Sequence, residues 1–222
     1  MSKLTCRVCT SDNTFVLLSD DRGRAYHRCA NCQATLLARE HFLSTDEEHA
    51  HYLTHENDVN DKGYRDFLSR LAVPLLARLS PNSSGLDYGC GPGPALAVMM
   101  RKAGHEIAVY DPYFAPDDAA FSKAYDFITC TETVEHLHNP HDEFARLVSM
   151  LKPGGILAVM TIFQTDDERF EGWRYRQDPT HVVFYRPQTF EVIARQHGLT
   201  CEVIRKDVVF LTMPLKPVYR AV

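Results

Sequence analysis

The stretch Gly85-Leu86-Asp87-Tyr88-Gly89-Cys90-Gly91-Pro92-Gly93 carries the residues best suited to hold a ligand. An apolar lead-in, an acid and glycines at alternate positions predict a strand running into a tight turn and then a helix. A glycine there lets the backbone approach a nucleotide-like ligand with no Cβ in the way. Asp87, just before the turn, suits a cationic or amine-bearing ligand and repels a pyrophosphate. The dinucleotide spacing Gly-x-Gly-x-x-Gly is not completed, because Pro94 stands at its last position. Asp111 lies 20 residues after Gly91, at the end of an apolar run. An acid so placed can accept hydrogen bonds from both ribose hydroxyls of an adenosine. A lone Asp at a strand end more often caps a turn, but its distance from the glycine turn favours the ribose role here.

A second zone of chemistry is Gln164–Tyr185, which runs for over twenty residues between a strand and a helix. Loops of that length in compact domains are usually lids or binding loops. It holds Trp173, Tyr175, Asp178, His181 and Tyr185. Trp173 and Tyr185 could enclose a substrate, the competing role being packing onto a sheet. His181 is the best general-base candidate, since a neutral imidazole accepts a proton near pH 7. His49, His51 and His55, and then His136, His138 and His141, form two further groups. Their i, i+2 spacing does not place them on one helix face, which favours surface or capping roles over metal binding. His136, directly after Glu135, is the exception.

Four of the seven cysteines form two pairs, Cys6-x-x-Cys9 and Cys29-x-x-Cys32, separated by 19 residues. Zinc needs four soft ligands in a tetrahedron, and each pair supplies two from one tight turn. The arrangement resembles a zinc ribbon. About 45 residues bury little core, so the metal would supply folding energy. Four thiolates leave no open position, which makes the role structural. Cys90, Cys130 and Cys201 lie singly in strand-like stretches.

The elements that must position these residues fall into three segments: 1–45 with the cysteines, 46–80 as a helical linker or cap, and 81–222. In the second, Phe67, Leu71, Leu75 and Leu79 recur every four residues, which predicts a helix over Gly63–Leu79 that Pro74 should kink. In the third, strand-like and helix-like runs alternate, the pattern of a doubly wound α/β sheet. Strands are expected at Leu86–Cys90, Glu106–Asp111, Tyr125–Thr131, Ile156–Phe163, Cys201–Ile204 and Val208–Met213. Helices are expected at Ala95–Gly104, Asp142–Leu151 and Pro187–His197. Only Pro112–Ala124 separates the second and third strands, so that crossover must be abbreviated.

The run Leu86 to Gly93, then Val109-Tyr110-Asp111, Tyr125-Asp126-Phe127-Ile128 through Glu135-His136-Leu137, and Leu151-Lys152-Pro153-Gly154-Gly155, resembles the ordered motifs of class I S-adenosylmethionine-dependent methyltransferases. The likeness covers most of residues 81–222. It implies an α/β, Rossmann-like seven-stranded sheet with the cofactor over the C-terminal strand ends. It also implies Gly89 and Gly91 under the cofactor, Asp87 near its methionine part and Asp111 on its ribose. Tyr88, Pro112, Thr131 and Glu132 would line the same site. His136 would stand where such enzymes place substrate-facing groups. The short Pro112–Ala124 region departs from the pattern where adenine is usually held. The cysteine ribbon ahead of this domain resembles a group of small bacterial methyltransferases with N-terminal zinc ribbons. The implied reaction is in-line methyl transfer to O, N or C of a small molecule.

The chain has 222 residues, a net charge of −5 and 45% hydrophobic residues. Such a balance, with no basic run, argues against a nucleic-acid partner. The apolar runs are too short to span a bilayer, and residues 1–20 lack the apolar core of a signal peptide, so a cytoplasmic protein is expected. Three alternatives stay open. One is a non-catalytic cofactor-binding protein that contacts a partner through its ribbon. Another is an rRNA or protein methyltransferase, and the third is a dinucleotide-dependent oxidoreductase.

Overall fold

The computed structural model describes residues 4–54 and 58–215. Three short antiparallel strands come first: β1 (Thr14–Ser19), β2 (Ala25–Cys29) and β3 (Thr35–Leu37). Two helices follow. In α1 (Thr45–Tyr52), the hydroxyl of Ser44 accepts from the Glu47 amide while the Glu47 carboxylate accepts from the Ser44 amide. That reciprocal cap starts a helix whose sequence has little apolar periodicity. Asp61 caps α2 (Lys62–Leu76) through the Tyr64 amide, and Pro74 lies within the helix. Its buried stripe of Leu68, Leu71, Ala72 and Leu75 packs beside α3 (Ala95–Lys102).

The main sheet comprises β4 (Ser84–Tyr88), β5 (Glu106–Tyr110), β6 (Tyr125–Thr131), β7 (Leu151–Met160), β9 (Thr200–Arg205) and β10 (Val208–Thr212), in the order β5-β4-β6-β7-β10-β9. Strands β5, β4, β6 and β7 are parallel, and β10 is antiparallel to both neighbours. Among the described residues the sheet thus has six strands, one fewer than the resemblance implied. The shortfall lies in the abbreviated crossover. Asp111 and Ala115 close a tight turn there, and Asp118–Ser122 is a single 3-10 turn, leaving β5 at the edge. Pro153-Gly154-Gly155, expected to precede a strand, lies inside β7, where Gly154 has φ +79° and the register with β6 shifts. Helices α4 (Pro140–Ser149) and α5 (Pro187–His197) each begin at a proline, and α5 ends at Gly198 with φ +70°.

The cysteine-bearing segment does not stand apart. Strand β8 (Val183–Phe184), from the long loop after β7, joins β3 as the fourth strand of the small sheet. Arg7 donates to the carbonyls of Leu37 and Val182 across that seam, each at 3.0 Å. One apolar cluster runs from Cys6 and Val8 through Phe184 and Tyr185 to Phe144 and Val159. No helix among the described residues is long and apolar enough to cross a membrane.

Candidate active site

The chain leaves β4 to one side for β5 and to the other for β6, so a crevice opens at the C-terminal ends of these parallel strands. A cavity of about 650 Å³ lies there, a size that suits a cofactor and a small molecule together. Its inner end is the glycine turn. Gly89 has φ +75°, and a Cβ on it would come within 2.3 Å of the Thr133 side chain. Only glycine fits that position. The amides of Gly89 and Cys90 donate to the Tyr110 carbonyl at 2.8 and 3.1 Å, and that of Gly91 to Asp111 Oδ2 at 3.0 Å. The turn's donors therefore point into the fold. A pyrophosphate would need them pointing outward, which disfavours the dinucleotide alternative.

Asp111 lines the cavity but already has work. Its Oδ1 accepts from the Tyr113 and Phe114 amides at 2.9 and 3.1 Å while Oδ2 holds Gly91. These three amides fill both lone pairs of Oδ1 and one of Oδ2, so a single acceptor position is left for a ligand. Pro112, Tyr113 and Phe114 form the wall beside it. Asp87 is buried and accepts from Thr129 Oγ1 at 2.8 Å. Burial pushes its pKa up to about 6, against the pull of that hydroxyl. Tyr88 lines the cavity, yet its hydroxyl is committed to Glu143 at 2.6 Å. Two acids and two aromatic rings beside an open backbone turn fit a cationic adenosine derivative.

The outer end is built from β6, the 3-10 turn Val134–His136 and the loop before β8. Thr131, Glu132, His136, Tyr175, Asp178 and His181 converge there. Glu132 has φ +47°, a conformation costly for a side chain that long. Tyr175 donates to Glu135 and lies 3.5 Å from Glu132 Oε2. Burial, reinforced at Glu132 by the neighbouring Glu135 charge, pushes the pKa of both carboxyls up. His136 Nδ1 lies 3.2 Å from the Thr180 carbonyl, and His181 Nδ1 lies 2.7 Å from that of Tyr175. Helices α1 and α2 roof the cavity with Glu48, Tyr52, Tyr64 and Phe67. Glu48 accepts from His138 Nε2 at 2.9 Å and from the Tyr113 hydroxyl at 3.2 Å.

Of the residues singled out from sequence, Asp87, Tyr88, Gly89, Gly91, Asp111, Pro112, Thr131, Glu132, His136 and His181 all line this one cavity. Two do not. Tyr185 is buried, stacks on Phe190 at 5.2 Å and donates to the Val134 carbonyl at 2.9 Å. Trp173 packs against Phe170, Tyr175 and Phe184 instead of facing the cavity. Both serve packing, the competing role. Tyr113, Tyr175 and the roof residues Glu48, Tyr52 and Tyr64 line the cavity as well, and Glu135 lies directly beside it. Tyr113 follows Asp111-Pro112 and Tyr64 lies in the expected helix Gly63–Leu79, so both carried a signal, whereas Glu48 and Tyr52 on a polar segment carried none. His51 lies 3.4 Å from Asp178, and His55 falls outside the described residues.

The sulfurs of Cys6, Cys9, Cys29 and Cys32 all lie within 4.8 Å of one another, with Cys6–Cys32 and Cys9–Cys29 at 3.6 Å. Tetrahedral zinc at its usual bond length to sulfur separates ligands by about 3.8 Å. Thr10 and Gln33, each just after the second cysteine of a pair, share φ near +60° and donate to the Cys6 and Cys29 carbonyls. Two equivalent knuckles with four buried thiols fit that metal.

A family model described as a methyltransferase domain matches residues 53–203. The chain is 28% identical over 155 residues to the ubiquinone biosynthesis O-methyltransferase of Shewanella pealeana, covering 65% of this chain and 64% of that protein. It therefore spans slightly less than two thirds of that relative's length. Among solved structures, a chain of the complex of the Haloferax volcanii Trm112 methyltransferase activator superposes with TM-score 0.53 and 17% identity. That match covers 78% of this chain and all of the other. The 1,6-didemethyltoxoflavin-N1-methyltransferase of Burkholderia thailandensis, with bound S-adenosylhomocysteine, gives TM-score 0.50 and 15% identity over 82% and 96% of the two chains. At such identities the structural likeness speaks for the fold.

Proposed function

Because this chain belongs to the methyltransferase-domain family, we propose that it transfers a methyl group from S-adenosylmethionine to a hydroxyl of a small molecule. The carrying observation is the single cavity that joins the glycine turn and its acids to the Glu132–His181 cluster. When bound, the cofactor supplies a methyl already activated by its sulfonium. The chain's own task is alignment: fixing a nucleophile behind that carbon can contribute roughly 7–11 kcal/mol. Asp111 accepts from a ribose hydroxyl through the free lone pair of Oδ2, Tyr113 and Phe114 flank the adenine, and Asp87 lies toward the methionine amine. Tyr64, Phe67 and Tyr52 keep water from the reacting carbon.

The acceptor sits at the outer end, among Glu132, Glu135, His136, Tyr175 and His181. Imidazoles and carboxylates there can relieve a hydroxyl of its proton. The one guanidinium in the described wall, Arg146, lies near Glu143 and over Phe121. The relative's name supports oxygen as the methylated atom. Under the same proposal, Cys6, Cys9, Cys29 and Cys32 hold a structural zinc. Calorimetric titration of zinc-replete protein with S-adenosylmethionine, with NAD as control, tests the cofactor assignment. Micromolar binding of the former alone is expected, and binding of NAD alone would overturn the reading.

A further inference from the structure

We infer that Glu135, His136 and His181 form a divalent-metal site at the outer end of the cavity, whose open positions take an oxygen of the acceptor. The identity of that acceptor oxygen rests on the proposed methyl transfer, whereas the ion site stands on geometry alone. One ligand atom from each of the three residues lies within 4.8 Å of the other two. The 3-10 turn that carries Glu135 and His136 is tied to the loop that carries His181, since the Val182 amide donates to the Glu135 carbonyl at 2.8 Å. The ligand set therefore bridges two elements already held in register.

The imidazole orientations carry the argument furthest. A carbonyl oxygen only accepts, so Nδ1 of His136, against Thr180 O, and Nδ1 of His181, against Tyr175 O, must each bear the proton. Each ring then has its lone pair on Nε2. Metal-bound histidines are held in the same way, the remote ring N–H being donated to a carbonyl or carboxylate. Two neighbouring imidazoles with ring centres 4.7 Å apart share this arrangement.

Glu135 supplies the second, independent observation. Its side chain is fully buried, and Oε1 has a close partner in the Tyr175 hydroxyl. Oε2 has none among the described residues. A buried carboxylate oxygen left without a donor is costly unless the acid keeps its proton or a cation meets it. Asp178 adds negative charge, with Oδ2 3.9 Å from His181 Nε2. Two imidazoles and a carboxylate favour a first-row transition ion over magnesium or calcium. Three protein ligands leave positions open, as in catalytic zinc sites with the same donors. A hydroxyl bound there ionises more readily. In this arrangement His181 is a ligand and not a free base.

The test uses the full-length protein with its ribbon zinc in place, titrated with Co(II). Occupancy by imidazole and carboxylate gives weak visible d–d bands, whereas exchange into the ribbon adds intense thiolate charge-transfer bands. One equivalent with d–d bands alone is expected, with affinity at least tenfold weaker in Glu135→Gln and in His181→Gln. S-Adenosylhomocysteine affinity, measured on each protein, controls for folding and reports the cofactor reading separately. Absence of d–d bands, thiolate bands only, or unchanged affinity in a folded variant would overturn the site, whatever the cofactor result.

Discussion

Asp111 serves the fold, and under the proposed function it serves the ligand as well. Three backbone amides, those of Gly91, Tyr113 and Phe114, already bind its oxygens. Asp111→Ala should therefore weaken S-adenosylhomocysteine binding by at least about tenfold, the scale of one or two lost hydrogen bonds to a charged group. Asp111→Asn keeps one carbonyl oxygen and should lose less. Calorimetry decides, and unchanged affinity in the alanine variant would remove Asp111 from the ribose. Two tyrosines ten positions apart give a second contrast. Tyr185→Phe should cost about 1 kcal/mol of stability, by stranding the Val134 carbonyl, and leave the acceptor KM unchanged. Tyr175→Phe should lower turnover, because Tyr175 touches Glu135 and faces the cavity. Sequence could not separate the two, since both sit in a loop without periodicity, and only the pairing of β8 with β3 turns one inward.

The elements that glycine, proline and apolar runs punctuate were legible, because those residues act locally: the β4 turn, the start of α5 at Pro187 and its stop at Gly198. What was hidden depends on partners far along the chain. Helix α1 carries almost no apolar stripe, so nothing in its own residues announces that Glu48 will bind His138 and Tyr113. The β1–β2 turn offers a similar case. Asp20, buried at its tip, accepts from Arg24 Nε at 2.8 Å and from the distant Arg176 Nη1 at 2.9 Å. Burial pushes its pKa up, but the two guanidiniums and the Arg24 amide outweigh that and hold it down to about 2. An unfolded Asp titrates near 3.9. A depressed folded pKa contributes stability that is fully present above about pH 4 and lost as pH falls through 2, here on the order of 2 kcal/mol. Urea midpoints of wild type and Asp20→Asn should thus lie well apart at pH 6 and markedly closer together at pH 2.5. Parallel displacement at both pH values would sink this account.

At the scale of the molecule, the cysteine ribbon and the long loop before β8 are one structure. Strand β8 completes the ribbon sheet two residues after His181, Thr35 Oγ1 bonds Gln164 Oε1 at 2.7 Å, and Arg7 grips Val182. The glycine turn, by contrast, is secured by Tyr110 and Asp111 on the far side of β4. Loss of the metal proposed for the ribbon should therefore act unevenly. A chelator would also strip an ion held by Glu135, His136 and His181, so the informative variant is Cys32→Ser, assayed with saturating Co(II). Methyl transfer should fall by at least about tenfold, because a misplaced loop loses the alignment on which the reaction depends. S-Adenosylhomocysteine affinity should stay within about threefold, since none of its expected contacts touches the small sheet. Equal losses of both would mean that the ribbon supports the whole fold. Retention of both would mean that β3 and β8 hold their register without metal, on the strength of Arg7 and the shared apolar cluster alone.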